Sequence, residues 1–232
     1  MRSTDVPAIR TLPLFKEMIE DSFAELVRGA YVQTFPPNME LIIEGDPCDF
    51  LHIVVDGSVE LLAGWGERET TMTILREGAT FILAAAIRDA PNLMSARTLE
   101  RSRIIMLPAE DVRQVFEKDH AFARAVVMEL AYCYRGVIKS VKGLKLRTSI
   151  ERLANYLLKL QKKMGGDNKF ELNVEKRRLA SILSMTPENL SRAIKTLRPY
   201  GVLIDGQTVE ITKPDDLKRL AKPTPLIDDP RS

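Results

Sequence analysis

Reading a pattern of hydrogen-bonding groups takes short or forked polar side chains held at fixed spacing, and one stretch of this chain supplies them. Between Lys176 and Leu197 the sequence runs KRRLASILSMTPENLSRAIKTL. Thr186, Pro187, Glu188, Ser191, Arg192 and Lys195 recur at helical intervals, which sets a carboxylate and a guanidinium one turn apart on the same face. Leu190, Ile194 and Leu197 form an apolar stripe on another face, and Leu179, Ile182 and Leu183 form a second stripe upstream. Ser184-Met185-Thr186-Pro187 separates the two helical patterns. Thr186 is placed to cap the second helix, and Pro187 fits its first position, where a missing N–H costs nothing. Glu188 and Asn189 follow at the positive end of the helix dipole. A helix with this polar face fits the DNA major groove, whose base edges present distinct donors and acceptors. An ordinary helical hairpin with a solvated charged face fits the same residues.

Other chemistries find little support. No nucleophile–base pair, metal cluster or glycine-rich phosphate loop stands out, and the two histidines offer little acid–base apparatus, so an enzyme is not expected. Cys48 and Cys133 make neither a disulfide framework nor a four-ligand zinc site. There is no cationic and apolar leader and no run of 18 apolar residues. The expectation is a cytoplasmic protein with reduced thiols and no membrane partner. The net charge is only +2, yet residues 145–213 hold 14 Lys/Arg against 7 Asp/Glu. A basic module on a mildly acidic body points to a polyanionic partner.

The elements that must carry this face are legible in outline, and they give an α+β chain. Residues 1–30 read as helical, with Leu12-Pro13-Leu14-Phe15 as an anchor and Ile19, Phe23, Leu26 and Val27 as a stripe. From Tyr31 the period changes to that of short strands near 31–35, 40–43, 50–55, 58–62, 70–75, 96–99 and 103–107. Asp56-Gly57 reads as a hairpin turn. Many short strands with regular turns imply an antiparallel barrel or jelly roll. Residues 1–118 are therefore read as a β-barrel domain and 119–146 as a long helix and hinge centred on Gly143. In that helix Val126, Leu130, Cys133, Val137, Val141 and Leu144 form an apolar seam, which predicts pairing with a second copy of the chain; packing on its own barrel is the alternative. Residues 147–213 follow a winged helix-turn-helix plan, with Thr148 capping its first helix and Asp205-Gly206 turning a terminal hairpin. Residues 214–232 are read as a tail, its last ten residues disordered.

This layout resembles the CRP/FNR family of bacterial transcription regulators over about residues 10–212. Three segments carry the resemblance: Glu44-Gly45-Asp46-Pro47 through Val59, Leu75-Arg76-Glu77-Gly78-Ala79-Thr80-Phe81, and Leu179–Leu183 with Thr186–Arg192. The resemblance implies a cyclic-nucleotide-binding-like jelly roll of eight strands, a dimerisation helix and a DNA-binding module. It implies a homodimer on double-stranded DNA with an inverted repeat, and RNA polymerase as the partner an activator would need. Glu188 resembles the glutamate that accepts from cytosine N4, and Arg192 the arginine that donates to guanine. Ser191 sits where FNR-type members place a serine near thymine. Pro187 replaces a donor found in the cyclic AMP receptor, so the implied half-site is FNR-like, TTGA(T/C).

The same resemblance locates an effector pocket at Phe81, Leu83, Ala84, Met94, Ser95 and Arg97. Here the chain departs from the family: Leu83 stands in place of the ribose-binding glutamate and Met94 in place of the phosphate-binding arginine. The expectation is a barrel that has lost its phosphate reader. A cyclic-nucleotide-responsive regulator and a haem- or redox-sensing one remain the alternatives. Residues 1–40 hold no cysteine, so an iron–sulfur cluster is not expected. For haem, Cys48 and His52 are the axial candidates, although His52, between Leu51 and Ile53, reads more naturally as a structural histidine.

Overall fold

The computed structural model describes residues 6–229. They divide into two compact units, the first ending at Cys133 and the second starting at Tyr134. The first contains α1 (Val6–Arg10), α2 (Glu20–Arg28), β1 (Tyr31–Phe35), β2 (Glu40–Ile42), β3 (Phe50–Asp56), β4 (Ser58–Trp65), β5 (Arg68–Arg76), β6 (Thr80–Phe81), α3 (Leu83–Arg88), β7 (Ser95–Thr98), β8 (Ser102–Pro108) and α4 (Ala109–Lys118). It also holds the first half of α5 (His120–Leu146), whose second half belongs to the other unit. The second unit continues with α6 (Ser149–Lys163), β9 (Lys169–Glu171), α7 (Lys176–Ile182), α8 (Pro187–Leu197), β10 (Val202–Asp205), β11 (Thr208–Ile211), α9 (Pro214–Ala221) and α10 (Pro225–Asp228).

The eight strands of the first unit form two four-stranded sheets, ordered β1-β8-β3-β6 and β2-β7-β4-β5, the jelly-roll arrangement. Alternation along β3 and β8 serves two cores at once. Leu51, Ile53, Ile105 and Leu107 pack outward against the helices, with Phe15, Leu26, Val112 and Phe122. Val54 and Ile104 point the other way and meet Ile42, Val59, Leu61 and Phe81 between the sheets. The strand β6 is only two residues long, too short to leave a periodic signal.

The hairpin expected at Asp56-Gly57 is not one. β3 pairs with β6 and β8, whereas β4 pairs with β5 and β7. Asp56-Gly57 is thus a corner where the chain changes sheets. Gly57 has φ +87, and a Cβ there would lie 2.4 Å from Ser102 Oγ and 2.8 Å from the Arg101 carbonyl oxygen. Ser102 is fully buried and locks the corner, its Oγ accepting from the Ser58 N–H at 3.1 Å.

Two helical expectations also change. Ile19, assigned to the buried stripe, is largely exposed. It stands at the N-cap of α2, where its N–H donates to Asp119 Oδ2 at 2.9 Å. Asp119 is itself buried and also accepts from the Phe122 N–H at 3.0 Å, so one carboxylate ties the starts of α2 and α5. Burial would raise its pKa, but these N–H groups outweigh it and hold the carboxyl below its ordinary value. Val126, assigned to the pairing seam, is wholly covered by its own core and has no surface for a second copy. Leu130 packs partly against that core, while Cys133, Val137 and Val141 are exposed. The exposed apolar line on α5 runs through Val127, Tyr134, Val137, Val141 and Leu144. With Leu130 it alternates steps of three and four, the coiled-coil register.

In the second unit, Leu153 and Leu157 of α6, Leu179 of α7 and Leu190 and Leu197 of α8 close one core with Val209 of the wing. Thr148 caps α6 in a capping box with Glu151, as expected. The wing is three-stranded, β10-β11-β9, because β9 adds to the predicted hairpin. The segment after Lys213 is not a loose tail over its described residues. Leu217 and Ala221 of α9 join the core. Asp228 of α10 receives two hydrogen bonds from Arg147, at 2.8 and 2.5 Å. Composition misleads here: the Pro and Asp residues that suggested disorder are helix starts, Pro214 and Pro225 each opening a helix. Residues 230–232 of the expected tail lie outside the described residues.

Two outcomes follow from this packing. Gly57→Ala should destabilise the first unit by about 1–3 kcal/mol in thermal or denaturant melts, from strain at positive φ and the clash with Ser102. For Asp228, burial would raise the pKa, but the Arg147 guanidinium and the Thr224 N–H outweigh it and lower the carboxyl. A depressed folded pKa stabilises above the unfolded value of about 4, and that contribution is lost as pH falls through the folded value. Asp228→Asn should therefore cost about 1.5–3 kcal/mol at pH 7, and the gap from the parent should close on acidification below about pH 4.

Candidate functional site

The site grows from how α8 begins. Thr186 adopts extended backbone and its Oγ1 accepts from the Asn189 N–H at 3.2 Å, while Pro187 occupies the first turn. The turn before it is pinned from behind. Arg152 of α6 donates through Nε to the Leu183 carbonyl at 2.9 Å and through Nη2 to that of Ser184 at 3.3 Å. Arg152 positions the two helices, and sequence reasoning missed it because its partners lie about thirty residues away and are backbone carbonyls. Ser184 takes φ +51 in the turn, a left-handed conformation that lets α7 stop and α8 depart.

Leu190, Ala193 and Leu197 of α8 are buried. Consequently Thr186, Pro187, Glu188, Ser191, Arg192 and Lys195 are all exposed, as the periodicity predicted. Arg192 donates to Asn189 Oδ1, which holds the guanidinium along the helix. Glu188 has its carboxyl lowered first by the Thr186 side chain, then by its own N–H and by Arg192, so it is a charged acceptor beside a charged donor. Around Pro187 the face offers one carboxylate, one guanidinium, one ammonium and the hydroxyls of Thr186 and Ser191. That set suits base edges in a wide groove.

The residues assigned to an effector pocket are divided among different parts of the jelly roll. Phe81 and Met94 belong to the core between the sheets, Leu83 belongs to the core outside them, and Ala84 is exposed. Ser95 Oγ accepts from the Glu44 N–H at 3.0 Å. Arg97 is committed to carboxylates, 3.5 Å from buried Glu60 and 3.1 Å from Glu69.

A cavity of about 510 Å³ opens instead at the other end of the jelly roll, among β1, β2, β3, β8 and the loop at 46–49. Its walls include Phe35, Leu41, Ile42, Phe50 and Met106, and Cys48, His52 and Asn92 also line it. His52 stacks on Phe81 with centroids 5.1 Å apart. Burial, against a smaller opposing pull from the Phe50 carbonyl, pushes the His52 pKa down to about 4, so the imidazole is neutral at pH 7. Burial likewise raises the Cys48 thiol. The two proposed haem ligands thus share one cavity. Its charged lining residues, however, are Glu40, Asp46 and Asp49, with no Lys or Arg among the described residues. Carboxylates at that rim would repel haem propionates, and the residues do not fit haem. No group of three or more potential metal ligands occurs among the described residues.

Two family models match the chain, one described as a cyclic nucleotide-binding domain over residues 32–119 and one as a Crp-like helix-turn-helix domain over residues 151–220. The CRP-like cAMP-activated global transcriptional regulator of Mycobacterium tuberculosis is 21% identical over 215 residues, 90% of this chain and 96% of that protein. The chain belongs to the CRP/FNR family. Potassium channel KAT1 of Oryza sativa subsp. japonica is 25% identical over 62% of this chain, yet the match spans only 19% of the channel's length. No helix among the described residues is long and apolar enough to cross a membrane. The solved structure of FixK2 from Bradyrhizobium japonicum superimposes with a TM-score of 0.70 at 19% identity, covering 84% of this chain and 98% of that one; the likeness is one of fold. In CRP/FNR terms, the first match lies on the jelly roll and the second on the module that carries α8.

Proposed function

We propose that this CRP/FNR member is a sequence-specific, dimeric DNA-binding regulator of transcription. The observation that carries the reading is the α8 face, on which every side chain from Thr186 to Lys195 that could meet a base edge is exposed. Arg192 donates to guanine and Glu188 accepts from cytosine N4 across one base step, the pairing that major-groove geometry favours. Pro187 contributes no donor. An inverted repeat of TTGA(T/C) is the site that these residues suit.

Dimerisation rests on α5. Its line Val127, Tyr134, Val137, Val141 and Leu144 is apolar, exposed and in heptad register, and pairing with the same line of a second copy would cover it. A two-fold dimer then demands an inverted repeat. The jelly roll serves as effector domain without a cyclic-nucleotide reader, because Leu83 and Met94 supply no charge and Arg97 is held by Glu60 and Glu69. The name of the Mycobacterium relative favours a cyclic AMP response instead. A calorimetric titration with cyclic AMP separates the two, since this reading expects no heat of binding.

Arg192→Ala should weaken binding to the inverted repeat by about 1–3 kcal/mol per half-site in fluorescence anisotropy and relax preference at one base pair. A variant that binds every sequence as the parent does would remove the assignment. Val137→Glu should convert the dimer to a monomer in sedimentation experiments while leaving the melting of each unit unchanged; a persistent dimer would place the interface elsewhere.

A further inference from the structure

The jelly-roll end cavity has a chemistry that neither the family models nor the aligned phosphate cassette describes. None of Phe81, Leu83, Ala84, Met94, Ser95 or Arg97 lines it. Asn92 is 5% exposed, and its amide is oriented by Nδ2 donating to the Pro47 carbonyl at 3.2 Å. That leaves Asn92 Oδ1 buried with no partner, and His52 Nδ1 is buried and unpartnered as well. These are two of the three buried side-chain atoms left unsatisfied among the described residues, and both belong to residues lining this one space. A buried polar atom without a partner is destabilising, so two of them on residues around one apolar cavity mark a place shaped for something else.

Charge narrows what that is. Glu40, Asp46 and Asp49 lie on the lining, and no ion pair engages any of the three carboxylates among the described residues. With no cation on the wall, a phosphate or carboxylate would meet like charge and find no donor from Asn92. A cation with N–H groups would meet the reverse. The apolar walls, including Phe35, Phe50 and Met106, suit a hydrocarbon or aromatic body.

We propose that this cavity binds a small, mainly apolar amine, whose ammonium donates to Asn92 and faces the carboxylates of Glu40, Asp46 and Asp49. His52 is a neutral imidazole there and adds no opposing charge. The assignment deepens the reading of the jelly roll as an effector domain. Its test uses no DNA, so it can fail while the DNA assignment stands, and the reverse.

The experiment titrates the full chain with phenethylamine, 2-phenylethanol and phenylacetate, which share a ring and differ in the head group. Calorimetry supplies affinities, and carbon-13 methionine methyl spectra supply location. Phenethylamine should bind about tenfold or more tighter than phenylacetate, with 2-phenylethanol between them. The methyl signals of Met39 and Met106, which line the cavity, should move, and those of Met128 and Met164, which do not, should stay. Asn92→Leu should weaken the amine by about fivefold or more. Glu40→Gln, an exposed change at the rim that disturbs no core, should weaken the amine and leave the alcohol unchanged. Equal binding of phenylacetate, methyl shifts confined to other methionines, insensitivity to both substitutions, or no binding by any of the three would each overturn the proposal.

Discussion

The second unit depends on the burial of one side of an eleven-residue helix. Leu190, Ala193 and Leu197 are needed by the core that α6, α7 and the wing close together. Because a helix turns through 100° per residue, committing those three positions leaves Glu188, Ser191, Arg192 and Lys195 nowhere to go but solvent. The polar face is therefore presented by hydrophobic packing rather than by contacts of its own. What remains is the direction in which the helix sets out, and Thr186 and Arg152 fix that from opposite sides of the turn. A charged side chain tying down backbone carbonyls is costly to bury, and burial lowers the Arg152 pKa. The carbonyls at the end of α7 would otherwise lack partners.

The first unit solves a related problem with strands. β3 and β8 are covered on both faces, by helices on one side and by the opposing sheet on the other. A strand in that position can spare almost no polar residue. Apart from Asp56 at the exposed end of β3, His52 is the exception, held between Phe50 and Phe81 as an uncharged ring.

What could be read in the residues follows the range of the interaction. Thr186, Pro187 and the α8 stripe are local features, so helix, cap and exposed face were all legible. Most strands of the jelly roll were legible too, from period-two alternation and turns. Their pairing was not, since Asp56-Gly57 has the composition of a hairpin and the role of a corner, a distinction set by Ser102 far along the chain. Ile19 and Val126 fit the apolar stripes to which they were assigned. Asp119 holds one at a helix cap, and the barrel core buries the other. Of the end cavity only Cys48 and His52 stood out in the sequence, because its walls run from Gln33 to Met106 and meet only after both sheets have formed.

One join in the first unit has mechanical weight. β8 ends at Pro108 and α4 starts at Ala109, with no residue between them, and a single residue, Asp119, separates α4 from α5. The Ala109 N–H is held by the Asp49 carbonyl at 2.8 Å, on the loop that borders the end cavity. A chain with loops at those joints would absorb a shift of Met106 as slack. This one has none, so a push on the strand has to reappear as a tilt of the next rod, and then of the long one after it.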